Sequence, residues 1–205
     1  MSGTEHFDQA AASWDLAERR VTLAHAVAEA IAARVSLSKK QSVLDFGCGT
    51  GLVTLELGPQ VSAITGADTS PGMLETLAGK ATAQGLLVPL LTLNSAGTTD
   101  LGGPYDLIVS SMTLHHVPDV PALFRQFEQH LQPGGQVALA DLDEEDGSFH
   151  EAAMGVHHQG FPREKVQTWL EAAGFQEIQL DTATVTRKEG KDYPVFLATA
   201  RKGAR

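Results

Sequence analysis

Apolar and small residues recur at helical spacing through residues 7–35, where Ala10, Trp14, Val21, Ala24, Val27, Ala28 and Ile31 share one face. The spacing predicts a helical N-terminal segment. The short apolar run VLDF at 43–46 ends in glycines, and Leu52, Val53, Leu55 and Leu57 then resume a helix-like pattern, which makes a first strand-helix unit. A second strand is predicted near 61–67, followed by a helix in SPGMLETLAGKATAQG with Ser70 as cap, Pro71 in the first turn and Gly85 at the exit. A third strand near 88–93 leads through the loop NSAGTTDLGGP to the apolar run YDLIVSSM, a fourth strand. A helix follows across about 119–131, and Pro133-Gly134-Gly135 turns the chain into the strand QVALADL. The acidic stretch DEEDGSFHE breaks the alternation, and irregular insertions of that kind often carry function. A last helix across 162–173 ends at Gly174, before two late strands, FQEIQLDTA and PVFLATARK, joined by the charged turn RKEGK. Strands alternating with helices imply a largely parallel sheet, to which a final hairpin adds an antiparallel strand.

The longest apolar runs fall far short of the roughly 18 residues that a membrane span needs, and MSGTEHFDQ has neither a basic n-region nor an apolar h-region. A soluble, cytoplasmic protein is expected. Cys48 is the single cysteine, which excludes an intrachain disulfide or a multi-thiolate metal site. With a net charge of −10, the average surface repels phosphate backbones, so nucleic acid is an unfavourable partner despite the basic residues near both ends.

The strongest local signal is VLDFGCGTG at 43–51, because a strand running into Gly47, Gly49 and Gly51 lets backbone approach a bound nucleoside closely. Asp68 lies 21 residues past Gly47 at the end of the second strand, the position of a carboxylate that accepts hydrogen bonds from ribose hydroxyls. A dinucleotide fingerprint requires G-x-G-x-x-G/A, and Leu52 stands where its last small residue belongs. The loop is G-x-G-x-G instead, which disfavours a nicotinamide dehydrogenase.

In this order and spacing, VLDFGCGTG, GADTSPGML, YDLIVSSMTLHHVPD and LQPGGQVALADL resemble the motifs of the class I S-adenosylmethionine-dependent methyltransferases over nearly the whole chain. The resemblance implies the Rossmann-like methyltransferase fold: α/β, doubly wound, with a mostly parallel seven-stranded sheet and an antiparallel last strand. It divides the chain into a helical segment (1–42), a cofactor-binding core (43–141), and a substrate-side insertion with the C-terminal hairpin (142–205). It implies that Asp45 and the backbone at Gly47, Gly49 and Gly51 hold the methionine part of S-adenosylmethionine, with Asp68 and Thr69 at the ribose and Met73 against adenine. The family often has an acid after the third strand, where this chain has Asn94 and Ser95 as alternatives for the adenine contact. Ser110 and Ser111 are placed under the methionyl chain, with Trp14 closing over it. Cys48 reads as a small buried residue rather than a nucleophile.

Methyl transfer from a sulfonium is an in-line displacement, so the protein mainly aligns the reactants. An acceptor that must lose a proton needs a base, and His115 or His116 is the first candidate. His150, His157, His158 and Phe161 lie in the irregular stretch after the fifth strand and are expected to line the acceptor pocket. The acids Asp141, Asp143, Glu144, Glu145 and Asp146 read as a solvated loop, and no metal is expected. No Asn/Asp-Pro-Pro-aromatic run follows the fourth strand, where SSMT stands, which argues against amino-methylation of adenine or glutamine. With about 42 residues before the first strand and no separate recognition domain, the acceptor is expected to be a small molecule. A protein or RNA methyltransferase, or a regulatory protein that binds the cofactor without turnover, are the alternatives.

Overall fold

A computed structural model describes residues 3–94, 100–150 and 155–204. Seven strands, β1 (Ser42–Phe46), β2 (Ala63–Asp68), β3 (Leu90–Thr92), β4 (Tyr105–Ser111), β5 (Leu131–Leu142), β6 (Phe175–Lys188) and β7 (Lys191–Lys202), form one sheet in the order β3-β2-β1-β4-β5-β7-β6. Neighbours from β3 to β5 pair in parallel, and β7 runs antiparallel to both β5 and β6. The helices are α1 (Gly3–Ala10), α2 (Glu18–Arg34), α3 (Leu52–Leu57), α4 (Pro71–Ala83), α5 (Val120–His130) and α6 (Arg163–Ala172). Among the described residues, no helix is long and apolar enough to cross a membrane.

Strand alternation builds two cores. Along β5, Val137 and Leu139 face a cluster with Phe124 and Phe127 of α5 and Val166 and Leu170 of α6. Ala138, Ala140 and Leu142 point the other way, towards Val27 and Ile31 of α2 and Val53 and Leu57 of α3. Every second side chain of a strand shares a face, so both surfaces of this strand are covered, as a parallel sheet requires. Ser70 caps α4 by accepting the Met73 N–H at 3.1 Å, and Asp119 caps α5 by accepting the Ala122 N–H at 2.9 Å.

Three boundaries differ from the sequence expectation. The N-terminal segment is not one helix: a 3₁₀ turn over Ala11–Leu16 and an extended Ala17 separate α1 from α2. The cause is tertiary, since Asp15 is held by distant groups. Val21 consequently turns outward and Leu23 takes a core position. β5 begins at Leu131 rather than after the Pro-Gly-Gly turn, with a register shift opposite Tyr105 and Leu107 that accommodates Pro133 in the strand. β6 and β7 extend to Lys188 and Lys191, leaving Glu189 (φ 51°) and Gly190 (φ 83°) as the hairpin loop. Left-handed backbone at both central residues matches the twist of the flanking strands.

Candidate active site

The two halves of the sheet wind in opposite directions from β1 and β4, and an open α/β sheet takes its ligand at the carboxyl ends beside such a reversal. A cavity of about 420 Å³ lies there. On its β1 side the three loop glycines all have left-handed φ, but for different reasons of space. A Cβ on Gly47 (φ 73°) would sit 2.2 Å from the Thr113 side chain, and one on Gly51 (φ 82°) 2.2 Å from Leu77 Cδ1. At Gly49 (φ 53°) a Cβ would meet nothing within 4 Å, and this glycine lines the cavity. The first and third glycines thus allow packing, while the second opens the backbone to a ligand.

Two carboxylates flank this loop. Asp68, at the end of β2, accepts the Gly49 N–H through Oδ2 (2.8 Å) and the Ser70 N–H through Oδ1 (2.9 Å). Its burial raises the pKa above the ordinary carboxylate value despite the opposing pull of these backbone donors. Asp45 is 1 % exposed and accepts the Thr54 hydroxyl at 2.6 Å. Burial pushes its pKa up to about 7, with the Thr54 hydrogen bond opposing and the Asp68 charge adding. Among the described residues no lysine or arginine pairs with Asp45. Cys48 lies between these acids, and burial followed by the charges of Asp45 and Asp68 keeps its thiol protonated.

The N-terminal segment covers the loop through two carboxylate clamps. Asp8 accepts the Ser70 hydroxyl at 2.5 Å and the Gly72 N–H at 3.0 Å. Asp15 accepts the Thr50 hydroxyl at 2.6 Å and the Lys80 ammonium at 2.7 Å, and the same ammonium donates to the Thr50 carbonyl at 2.8 Å. Between the clamps Trp14 lines the cavity, with the Arg20 guanidinium 3.6 Å over its ring and Phe7 edge-on at 5.5 Å.

On the β4 side, a 3₁₀ turn over Leu114–His116 carries two histidines with different environments. His115 Nδ1 lies 2.7 Å from Asp141 Oδ1, with both residues buried, and the His115 N–H donates to Asp141 Oδ2 at 3.2 Å. Burial would raise the Asp141 pKa, but the His115 charge and hydrogen bond and the N–H groups of Leu142 and His115 outweigh it, so it falls below the usual value. An ionised carboxylate only accepts, so it assigns the proton to Nδ1 and leaves Nε2 of His115 as the basic atom. The rings of His116 and His150 each lie 4.2 Å from that of His115. Burial, then repulsion from His115, lowers His116 to about 3 and His150 to about 4, so both are neutral near pH 7.

The cavity brings together Trp14, Asp45, Gly47, Gly49, Asp68, Thr69, Met73, Ser111, His115, His116, His150 and His157 from the sequence candidates. Five others lie elsewhere. Gly51 is the residue before α3, and Ser110 is buried with its hydroxyl donating to the Phe46 carbonyl at 2.8 Å, a link between β4 and β1. Asn94 is exposed beyond β3, and Leu93 lines the cavity in its place. His158 places Nε2 3.0 Å from the Val117 carbonyl and does not line the cavity. Phe161 is a core ring edge-on to Trp169 and Phe196. Ser95 lies outside the described residues. The acids from Asp141 to Asp146 are not a uniformly solvated loop: Asp141, in β5, binds His115, and Asp143 forms a two-point pair with Arg163, both contacts at 2.7 Å. Arg19, Lys188, Phe7 and Thr113 also line the cavity, yet no local pattern marks them, since they come from four separate stretches of chain.

A methyltransferase-domain family model matches residues 16–180. An uncharacterized methyltransferase of Schizosaccharomyces pombe is 28 % identical over 155 residues, covering 68 % of this chain and 55 % of the yeast protein. The trans-aconitate 2-methyltransferase of Deinococcus radiodurans is 37 % identical over 111 residues, covering 53 % of this chain and 40 % of that protein. These matches thus span about half the length of the curated relatives or less. A chain in the complex of the Haloferax volcanii Trm112 methyltransferase activator with a methyltransferase superposes with a TM-score of 0.78 at 15 % identity, covering 96 % of this chain and 97 % of that one. The family match, the sheet order and the glycine loop agree: the chain belongs to the class I S-adenosylmethionine-dependent methyltransferases.

Proposed function

We propose that this protein transfers a methyl group from S-adenosylmethionine to a small-molecule acceptor, at an oxygen or nitrogen whose proton passes to His115 Nε2. The observation that carries the proposal is the buried His115–Asp141 pair at the same cavity as the glycine loop. The cavity suits the cofactor chemically. Gly49 leaves open space above its Cα, Asp45 is a buried carboxylate without a cationic partner among the described residues, and Asp68, which accepts the Gly49 N–H, offers a carboxylate for ribose hydroxyls. An α-ammonium would supply the charge that Asp45 lacks. When bound, S-adenosylmethionine supplies an activated methyl group on a sulfonium, and the chain's residues supply alignment and proton removal.

Asp141 fixes the His115 tautomer and stabilises the imidazolium as Nε2 takes the acceptor's proton. His116 and His150 are held neutral and crowd the ring, limiting water around it. A cavity of about 420 Å³ is at the small end of ligand sites, which run from roughly 300 to 1,000 Å³, and supports a site for small molecules.

The test is a panel of small acceptors assayed for S-adenosylhomocysteine release, with calorimetry of S-adenosylhomocysteine and NADH binding. S-adenosylhomocysteine should bind and NADH should not. On an accepted substrate, His115→Gln should lower kcat by about 10²–10⁴-fold while S-adenosylhomocysteine affinity stays within about threefold. Undiminished turnover in that variant removes His115 as the base, and absence of S-adenosylhomocysteine binding removes the cofactor assignment.

A further inference from the structure

We propose that the acceptor is an anion, whose carboxylate or phosphate group is bound by Arg19 and Lys188 where they meet Phe149 in the cavity lining. The inference rests on the methyl-transfer reading above and narrows its substrate class. In a chain of net charge −10, a cavity lined by Arg19 and Lys188 as well as the Arg20 that stacks on Trp14 is not an average feature. Three other partly buried cations are matched with acids: Lys80 with Asp15, Arg163 with Asp143, and Lys202 with Glu128. Among the described residues, Arg19 and Lys188 have no carboxylate partner.

Both are nevertheless held in place. The Arg19 guanidinium lies 4.9 Å over the Phe149 ring, and Lys188 Nζ donates to the Phe149 carbonyl at 2.8 Å. Phe149 therefore positions one cation by its ring and the other by its backbone. The same ammonium also reaches the Ser148 carbonyl at 3.5 Å, and because it carries three protons one donor remains for a ligand. A third group converges on the same place. His150 Nε2 is buried and, among the described residues, has no hydrogen-bond partner, which costs free energy unless a ligand supplies one.

The spacing connects this corner to the base. The His115 and His150 rings are 4.2 Å apart, those of His150 and Phe149 4.9 Å, and the Arg19 guanidinium lies 4.9 Å from the Phe149 ring centroid. A short molecule can thus place its anion against Arg19 and Lys188 while its reacting atom stands near His115. Arginine favours two-point binding of planar oxyanions, and lysine adds a point charge. Binding there would hold the acceptor in register for transfer.

The test uses protein saturated with S-adenosylhomocysteine, titrated calorimetrically with benzoate, phenyl phosphate and the uncharged benzamide. At least one anion should bind saturably, with benzamide weaker by about tenfold or more. The anion that binds better distinguishes a carboxylic acid from a phosphomonoester as the acceptor class. Arg19→Gln, which keeps much of the stem that packs on Phe149, and Lys188→Gln should each weaken the anion by about tenfold. Benzamide binding as tightly as the anions, absence of anion binding, or unchanged affinity in both variants overturns the proposal. The two readings fail separately: loss of S-adenosylhomocysteine binding with retained anion binding condemns the cofactor assignment, and the reverse condemns the anionic acceptor alone.

Discussion

Asp45 makes cofactor affinity depend on pH in a way that can be worked out in advance. Its carboxyl is fully buried, its pKa stands at about 7, and among the described residues it faces no cation. A ligand ammonium beside it favours the ionised form, so the free protein must give up a proton to bind. With a pKa of about 7, the protonated fraction is about nine-tenths at pH 6 and about one-tenth at pH 8, so affinity should rise about tenfold from pH 6 to pH 8, or about 1.4 kcal/mol. Calorimetry of S-adenosylhomocysteine at pH 6 in two buffers of different ionisation enthalpy should find close to one proton released, and almost none at pH 8. His116 at about 3 and His150 at about 4 stay neutral across this window, while Asp68 is also raised by burial. Asp45→Asn separates the two acids. It keeps an acceptor for the Thr54 hydroxyl but removes the titration, so it should weaken binding at pH 8 by roughly 1.5–3 kcal/mol and flatten the profile.

The same shift carries a stability consequence of known sign. The folded-state pKa of Asp45 lies above its unfolded value, so its contribution is fully present below about pH 4 and is lost as pH rises through about 7. At pH 8 the ligand-free parent should be less stable than Asp45→Asn, by up to the order of 4 kcal/mol, and the gap should close towards pH 4. Urea unfolding at both pH values measures it. A flat binding profile in the parent, together with equal stability of parent and variant at pH 8, would refute the reasoning.

Asp141→Asn should lower kcat by about 10²–10⁴-fold with S-adenosylhomocysteine affinity nearly unchanged, because an amide can leave His115 in the wrong tautomer; single-turnover kinetics measure it. Gly47→Ala should cost roughly 1–3 kcal/mol in denaturant unfolding, since φ is 73° and the new Cβ meets Thr113 at 2.2 Å. Gly49→Ala should cost less stability but weaken S-adenosylhomocysteine markedly, because its Cβ enters open cavity rather than protein. Asp68→Ala removes the acceptor of two backbone N–H groups, so it should lower cofactor affinity by roughly 1.5–3 kcal/mol and also lower thermal stability.

Much of this molecule was legible because period and local chemistry coincide. The apolar runs at β1, β4 and β5, the Ser70 cap and the glycine loop each announce themselves within a few residues. What was not legible depends on partners distant in sequence. The break at Ala17 follows an uninterrupted helical pattern and goes with bonds from Asp15 to Thr50 and Lys80, 35 and 65 residues away. Asp141 looked like the first member of an acidic loop, yet it is a buried residue near the end of the internal strand β5, 26 residues from the His115 it orients. Phe161, beside histidines in sequence, faces the opposite way because its N–H bonds to the Leu142 carbonyl at 3.0 Å and a parallel bridge joins it to Asp143. Local composition signals that a stretch is irregular, but only the long-range pairing decides which of its side chains reach the cavity.

The proposed division of labour follows from where the groups are anchored. Asp141 sits in β5 between β4 and β7, in register with Phe196, and accepts the Leu142 and His115 N–H groups. His115 is further held through its carbonyl, which accepts from His157 N–H at 2.8 Å and His158 N–H at 3.2 Å. The dyad is therefore fixed by paired strands and backbone bonds, the kind of support that keeps reacting groups in position. Arg19, Phe149 and Lys188 instead come from α2, the irregular stretch after β5, and the β6–β7 hairpin, none of which contributes to the glycine loop. Substitutions in those outer elements can change what the acceptor end recognises while leaving the base and the cofactor loop intact. Charge reversal at Arg19 and Lys188 together should therefore move the preference from anionic to cationic or neutral probes without altering the pH dependence that Asp45 imposes on S-adenosylhomocysteine. A change in that pH dependence, measured by the same calorimetry, would show that the two ends of the cavity are coupled and that this separation is wrong.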